Sequence, residues 1–180
     1  MSNNNLYRFA GWSAILSIVF SFAMFGLVGE GRNAVFIAVS IIASVFTAIV
    51  LYGLYVFHRS QSAVVSLVML ACGVIGLVLE NLGTGPEGSL FVLTNGIYSV
   101  AFLLIGYLGF GNAIMPRWLA ILAYVCGLAT LGMAGAFALG QPDLGENVFG
   151  MFQFLAWVVW SIGICRLFLS SKLAMAMRAA

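Results

Sequence analysis

Long apolar runs recur along this chain, and they limit its fold more than any other feature. Uninterrupted stretches of ~20–24 residues lie at about 9–28, 34–57, 61–82, 89–110, 118–139 and 148–169. At ~1.5 Å of helical rise per residue, each is long enough to cross a hydrocarbon core ~30 Å thick. A backbone in lipid must satisfy its own hydrogen bonds, and continuous runs of this length do so as helices. A barrel strand would instead alternate apolar and polar positions over about ten residues. The pattern predicts an all-α polytopic membrane protein, a bundle of six transmembrane helices making one domain over residues 1–180. Composition points the same way: 63% of the residues are hydrophobic and 7% are charged, against about 25% charged in soluble domains. Too little polar surface is left to cover a water-soluble globule.

The few charges sort by connection. Arg8, Arg59, Arg117, Arg166, Lys172 and Arg178 fall at the start of the chain, in the second and fourth connections, and at the end of the sixth run. Glu30, Glu80, Glu87, Asp143 and Glu146 fall at the first, third and fifth connections, joined by one base, Arg32. Lys and Arg in short loops stay on the cytoplasmic side, so both termini are expected there, N-in and C-in. The tail 170–180 alternates basic and apolar residues, which predicts an interfacial helix on the inner leaflet. So sparse a set of charges does not suit a nucleic-acid partner. The expected surroundings are the lipid bilayer, a membrane-protein partner or a second copy, and a small or lipidic ligand.

No catalytic constellation is present. The single histidine, His58, cannot supply paired haem ligation or a two-His metal site. Its expected place is among the lipid headgroups beside Arg59. Cys72, Cys126 and Cys165 lie in apolar runs without metal or redox spacing and read as small buried hydrophobes. Ser13, Ser17 and Ser21 recur every four residues, as small residues do where helices pack closely. Ala123, Gly127, Thr130, Ala134 and Ala138 make a similar stripe. Gly106, Gly109 and Gly111 follow no strand, so they are not a dinucleotide loop. The expectation is no catalytic residue, no metal and no cofactor.

Polar residues inside the spans are costly in lipid and are the better lead. Glu80 lies about half a turn from the end of the third run, with Gly76 and Gly73 one and two turns below it on the same face. Asn95 sits ~9 Å inside the fourth run. Gln153, Trp157 and Trp160 share one face of the sixth at i, i+4 and i+7. Together they sketch a ligand pocket with a carboxylate rim, two amides and indole walls. The competing reading makes the amides interhelical glue and Glu80 an interfacial charge paired with Arg32.

Three segments carry a resemblance: "GYLGFGNAIMPRWL" (106–119), "FLAWVVWSIGI" (154–164) and "LYRFAGW" (6–12). A helix ending in Gly, a short linker and then Pro-Arg-Trp-Leu opening the next span resembles an uncharacterised family of six-helix bacterial integral membrane proteins. The resemblance implies a bacterial inner-membrane protein and assigns no activity. The chain is therefore expected to be a multi-pass protein that binds a small or lipidic ligand or serves as an accessory subunit of a membrane complex. The alternative is a small permease or proton-coupled carrier using Glu80, Asn95 and Gln153.

Overall fold

The structure is a computed structural model that describes residues 3–27, 33–83, 89–170 and 173. Those residues form α1 (Asn3–Leu27), α2 (Ala34–His58), α3 (Ala63–Leu82), α4 (Ser89–Phe110), α5 (Arg117–Ala138), α6 (Pro142–Leu144), a π-helical stretch (Gly145–Gly150) and α7 (Met151–Phe168). Six helical segments are long and apolar enough to cross a membrane; the sixth runs unbroken from Pro142 to Phe168. No strand occurs among the described residues.

Two boundaries depart from the hydropathy reading. The first helix begins at Asn3 rather than near residue 9, because helical hydrogen bonding continues through a polar first turn that hydropathy cannot register. The last begins at Pro142 rather than near 148. Pro142 occupies the first turn with Asp143 beside it, a fixed φ and an acid that both favour a helix start. Of the expected tail helix, only Ser170 and Leu173 are described. Glu30, Arg32, Glu87, Lys172 and Arg178 also lie outside the described residues.

The chain divides into two compact units, with the divisions falling inside α2 and α7. Unit 1 holds residues 1–53 and 161–180. Small residues set its packing. A Cβ on Gly53 would come within 2.8 Å of Ala10 and 3.2 Å of the Phe168 ring, and one on Gly11 would meet Leu169 at 3.1 Å. Tyr7 leans on Phe168 at 5.2 Å between centroids, and Phe20 stacks on Phe46 at 5.7 Å. Ser13 and Ser17 are buried in this unit, with the Ser17 hydroxyl donating to the Ala14 carbonyl at 2.9 Å.

Unit 2 holds residues 54–160. Its α4 and α5 interlock through glycines facing large side chains. Gly106 lies under the Tyr124 ring, Gly127 under Leu103, and Gly109 against Ala120 and Met115, each leaving less than 3.0 Å for a Cβ. Gly106 and Gly109 are thus contact points between helices, not parts of a loop. Gly76 of α3 packs directly under Tyr98 of α4. The α5 helix ends at Gly140, the one residue with positive φ (69°) among those described. Gln141 N–H donates to the Ala136 carbonyl at 2.9 Å and Gly140 N–H to Phe137 at 3.1 Å, the paired bonds of a Schellman cap, which requires a left-handed residue at this position.

His58 corrects the expectation of a headgroup histidine. It is fully buried, with Nδ1 at 2.8 Å from the Gln61 amide oxygen and Phe57 edge-on at 4.8 Å. The turn after α2 closes on the main chain, with Gln61 and Ser62 both donating backbone N–H groups to the His58 carbonyl. Ser62 then caps α3 by accepting from Val65 N–H.

Candidate functional site

All five sequence-predicted ligand residues belong to unit 2. The structure links two of them through intervening rings. Trp160 of α7 is 3% exposed and meets Phe102 of α4 edge-on, at 5.4 Å between centroids and 74° between planes. Phe102 in turn meets Tyr98 edge-on at 5.5 Å. Tyr98 covers Gly76 on α3, and Glu80 follows one turn further along α3. A line of rings therefore leads from Trp160 through Phe102 and Tyr98 to Gly76, one turn short of the carboxylate at the C-terminal end of α3.

Glu80 itself is exposed, although Gly73, Gly76 and Leu77 beneath it are buried. It stands at the edge of the packed face, not within it. Asn95 is half-buried and shares a face of α4 with Tyr98 and Phe102, at i, i+3 and i+7. Its amide N–H donates back to the Phe91 carbonyl at 2.9 Å. Trp157 is buried one turn before Trp160, tilted against Phe154 at 5.9 Å, and Gln153 is half-buried one turn before that. Among the described residues, no hydrogen bond joins Asn95 or Gln153 to the ring line.

Tyr98 and Phe102 are the site residues that sequence reasoning missed. Their spacing from Asn95 was visible, but the pairing of Tyr98 with Gly76 was not, because it depends on which faces of α3 and α4 meet.

Hydrogen bonding separates structural polar groups from candidate contacts. Within the spans, the side chains of Thr47, Ser66, Asn81, Thr94, Asn95, Ser99 and Thr130 each donate to a carbonyl three or four residues back on their own segment, at 2.7–3.0 Å. Such groups are satisfied without a neighbour. Among the described residues, three buried side-chain polar atoms have no partner: Ser13 Oγ, His58 Nε2 and Trp160 Nε1. A hydroxyl can rotate toward a carbonyl, but an indole N–H is fixed in the ring plane and can only donate. In an apolar interior, leaving it unpaired costs about 1–3 kcal/mol.

Charge and metal chemistry are limited. Arg8, Arg59, Glu80, Arg117, Asp143, Glu146 and Arg166 are all exposed, so no Asp, Glu, Lys or Arg among the described residues is buried. No group of three or more His, Cys, Asp or Glu residues is placed to hold a metal among the described residues. Cys126 and Cys165 are buried and Cys72 half-buried, all as free thiols.

Compared with protein families, curated proteins and solved structures, the chain matches none of them.

Proposed function

We propose that this chain is a non-catalytic multi-pass membrane protein that binds a small or lipidic ligand within unit 2, acting alone or as the ligand-holding subunit of a larger membrane complex. The observation that carries this reading is the unpartnered indole N–H of Trp160, buried at 3% exposure against the Phe102 ring. Thr47, Ser66, Asn81, Thr94, Asn95, Ser99 and Thr130 bond back along their own segments, and the Ser13 hydroxyl can rotate, so this fixed donor stands out as one held ready for an outside acceptor. Trp157 extends the apolar wall, while Glu80, Asn95 and Gln153 supply polar groups at greater distance along the helices. A proton-coupled carrier is less well supported, because every described Asp, Glu, Lys and Arg is exposed and Glu80 stands in the last turn of its span, not at its middle.

Native mass spectrometry of protein extracted gently from its own membrane tests the reading. The expected result is a retained small molecule in the wild type that is depleted at least tenfold in Trp160→Phe. A bare chain under conditions that preserve other membrane complexes counts against ligand binding, and retention of a second polypeptide supports the subunit form.

The proposed orientation puts both termini in the cytoplasm of a bacterial inner membrane. It is supported by the order of charges along the chain, with Arg8, Arg59, Arg117 and Arg166 at its start, the second and fourth connections and the end of the last span, and Glu80, Asp143 and Glu146 at the third and fifth connections. In a cysteine-free background, Gln141→Cys should react with a membrane-impermeant maleimide in intact cells. Asn112→Cys should react only after the cells are opened. The reverse pattern would invert the topology.

A further inference from the structure

Resting on that proposed function, we infer that the ligand held at Trp160 is a neutral, largely apolar molecule that presents a carbonyl oxygen to the indole N–H. Three observations set its class. Trp160 Nε1 is donor-only, buried and unpartnered, so the ligand must bring an acceptor. Thr94, Ser99 and Thr130 donate to their own helices, and the backbone carbonyls of helix interiors already accept helical bonds. A ligand hydroxyl would have to place a proton of its own as well, whereas a carbonyl oxygen meets the indole N–H and brings no donor. Every described Arg is exposed, so an anionic group beside Trp160 would lack a buried counter-charge. The Phe102 and Tyr98 rings, at 5.4 and 5.5 Å along the line, make the surroundings of the indole apolar, which suits a largely apolar molecule.

His58 does not ask for the same group. Its Nδ1 faces the Gln61 amide oxygen at 2.8 Å, an atom that only accepts, so the ring proton resides on Nδ1 and Nε2 is left as an acceptor. The two unpartnered atoms have opposite requirements, and only the Trp160 donor matches a carbonyl.

A membrane supplies this chemistry from two sources, the ring of an isoprenoid quinone and the acyl ester of a glycerolipid. Indole nitrogen NMR distinguishes them. The full chain, labelled with nitrogen-15 at tryptophan, is placed in nanodiscs of diether phosphatidylcholine, which has no ester carbonyl. Its four tryptophans give four indole signals. That of Trp160 is the one lost in Trp160→Phe; if that variant aggregates, contact with the Phe102 ring protons identifies the signal in the wild type. A saturable downfield shift on adding decylubiquinone identifies the quinone source. A downfield shift on transfer to diester phosphatidylcholine alone identifies the lipid ester.

A Trp160 signal that stays put in all three media overturns the inference, as does one already at the hydrogen-bonded position in diether discs without additive. The mass-spectrometric result separates the two failures. A retained molecule with an unmoved Trp160 signal leaves ligand binding standing and removes this contact. An unmoved signal with no retained molecule removes both.

Discussion

Trp160→Ala should lower the stability of the folded chain by about 3 kcal/mol. Trp160 is 3% exposed and wedged edge-on against Phe102. Truncating it leaves a cavity the size of an indole, and buried large-to-small changes cost about 24 cal/mol for each Å³ not refilled. The transfer component familiar from soluble proteins is small here, since the unfolded helices would also reside in lipid. The loss is therefore one of packing. For a chain of this length it corresponds to a fall of roughly 10 °C in the midpoint of thermal unfolding, readable in detergent by the loss of monodisperse elution on heating. Trp160→Phe keeps most of the ring contact and removes only the N–H, so its midpoint should lie close to wild type while ligand retention falls. A Trp160→Phe midpoint as low as that of Trp160→Ala would make the N–H itself structural and weaken the case for a ligand.

The second large effect is expected at the α4–α5 contact. A Cβ on Gly127 would lie 2.9 Å from Leu103 Cδ2 and Cγ and 3.1 Å from the Leu103 backbone nitrogen. A flexible side chain could withdraw, but a backbone nitrogen inside α4 cannot move without shifting the helix. Gly127→Val is thus expected near the upper end of the 1–3 kcal/mol typical of overpacking, about 3 kcal/mol. Gly135 of the same helix is the internal control, because it is exposed and a Cβ there would meet nothing within 4 Å. Gly135→Ala should raise stability by about 0.5–1 kcal/mol through helix propensity alone. The same thermal assay reads both variants. Equal effects of the two substitutions would show that propensity, not close approach, governs these glycines.

The features that depend on a single helix were legible in the sequence. Apolar length alone identified six membrane-crossing candidates, and the structure contains six such helices. The Ser13/Ser17/Ser21 repeat and the Ala123–Gly127–Thr130–Ala134–Ala138 stripe pointed to close packing; six of those eight residues are buried, while Ser21 is half-buried and Ala138 exposed. Features that need two elements at once were not legible. Nothing in the order of residues announces that Tyr98 seats on Gly76, or that Phe102 is the neighbour of Trp160. The His58 miss has the same origin: position at a helix end suggests the interface, but the Gln61 side chain meets the ring, Phe57 lies edge-on to it, and the residue is fully buried. The last helix shows a different limit. Hydropathy marks where a helix enters apolar surroundings, whereas Pro142 and Asp143 mark where its backbone starts to wind.

The π-helical stretch Gly145–Gly150 has a consequence for how the last span can vary. Met151 N–H reaches back five residues to the Glu146 carbonyl, so each turn there holds about one residue more than the α-helix on either side. The segment behaves as a phase shifter: it decouples the angular setting of Pro142–Leu144 from that of the Trp157 and Trp160 face. Gly145 makes room for this, since a Cβ at that position would lie 2.6 Å from the Phe137 ring. Loss of a single residue within 145–150 could therefore be absorbed by rewinding to an ordinary α-turn, with the tryptophan face kept in register. The same deletion nine residues later would swing that face by about 100°. The chain thus carries one place where its length is elastic, set immediately before the part where it is not.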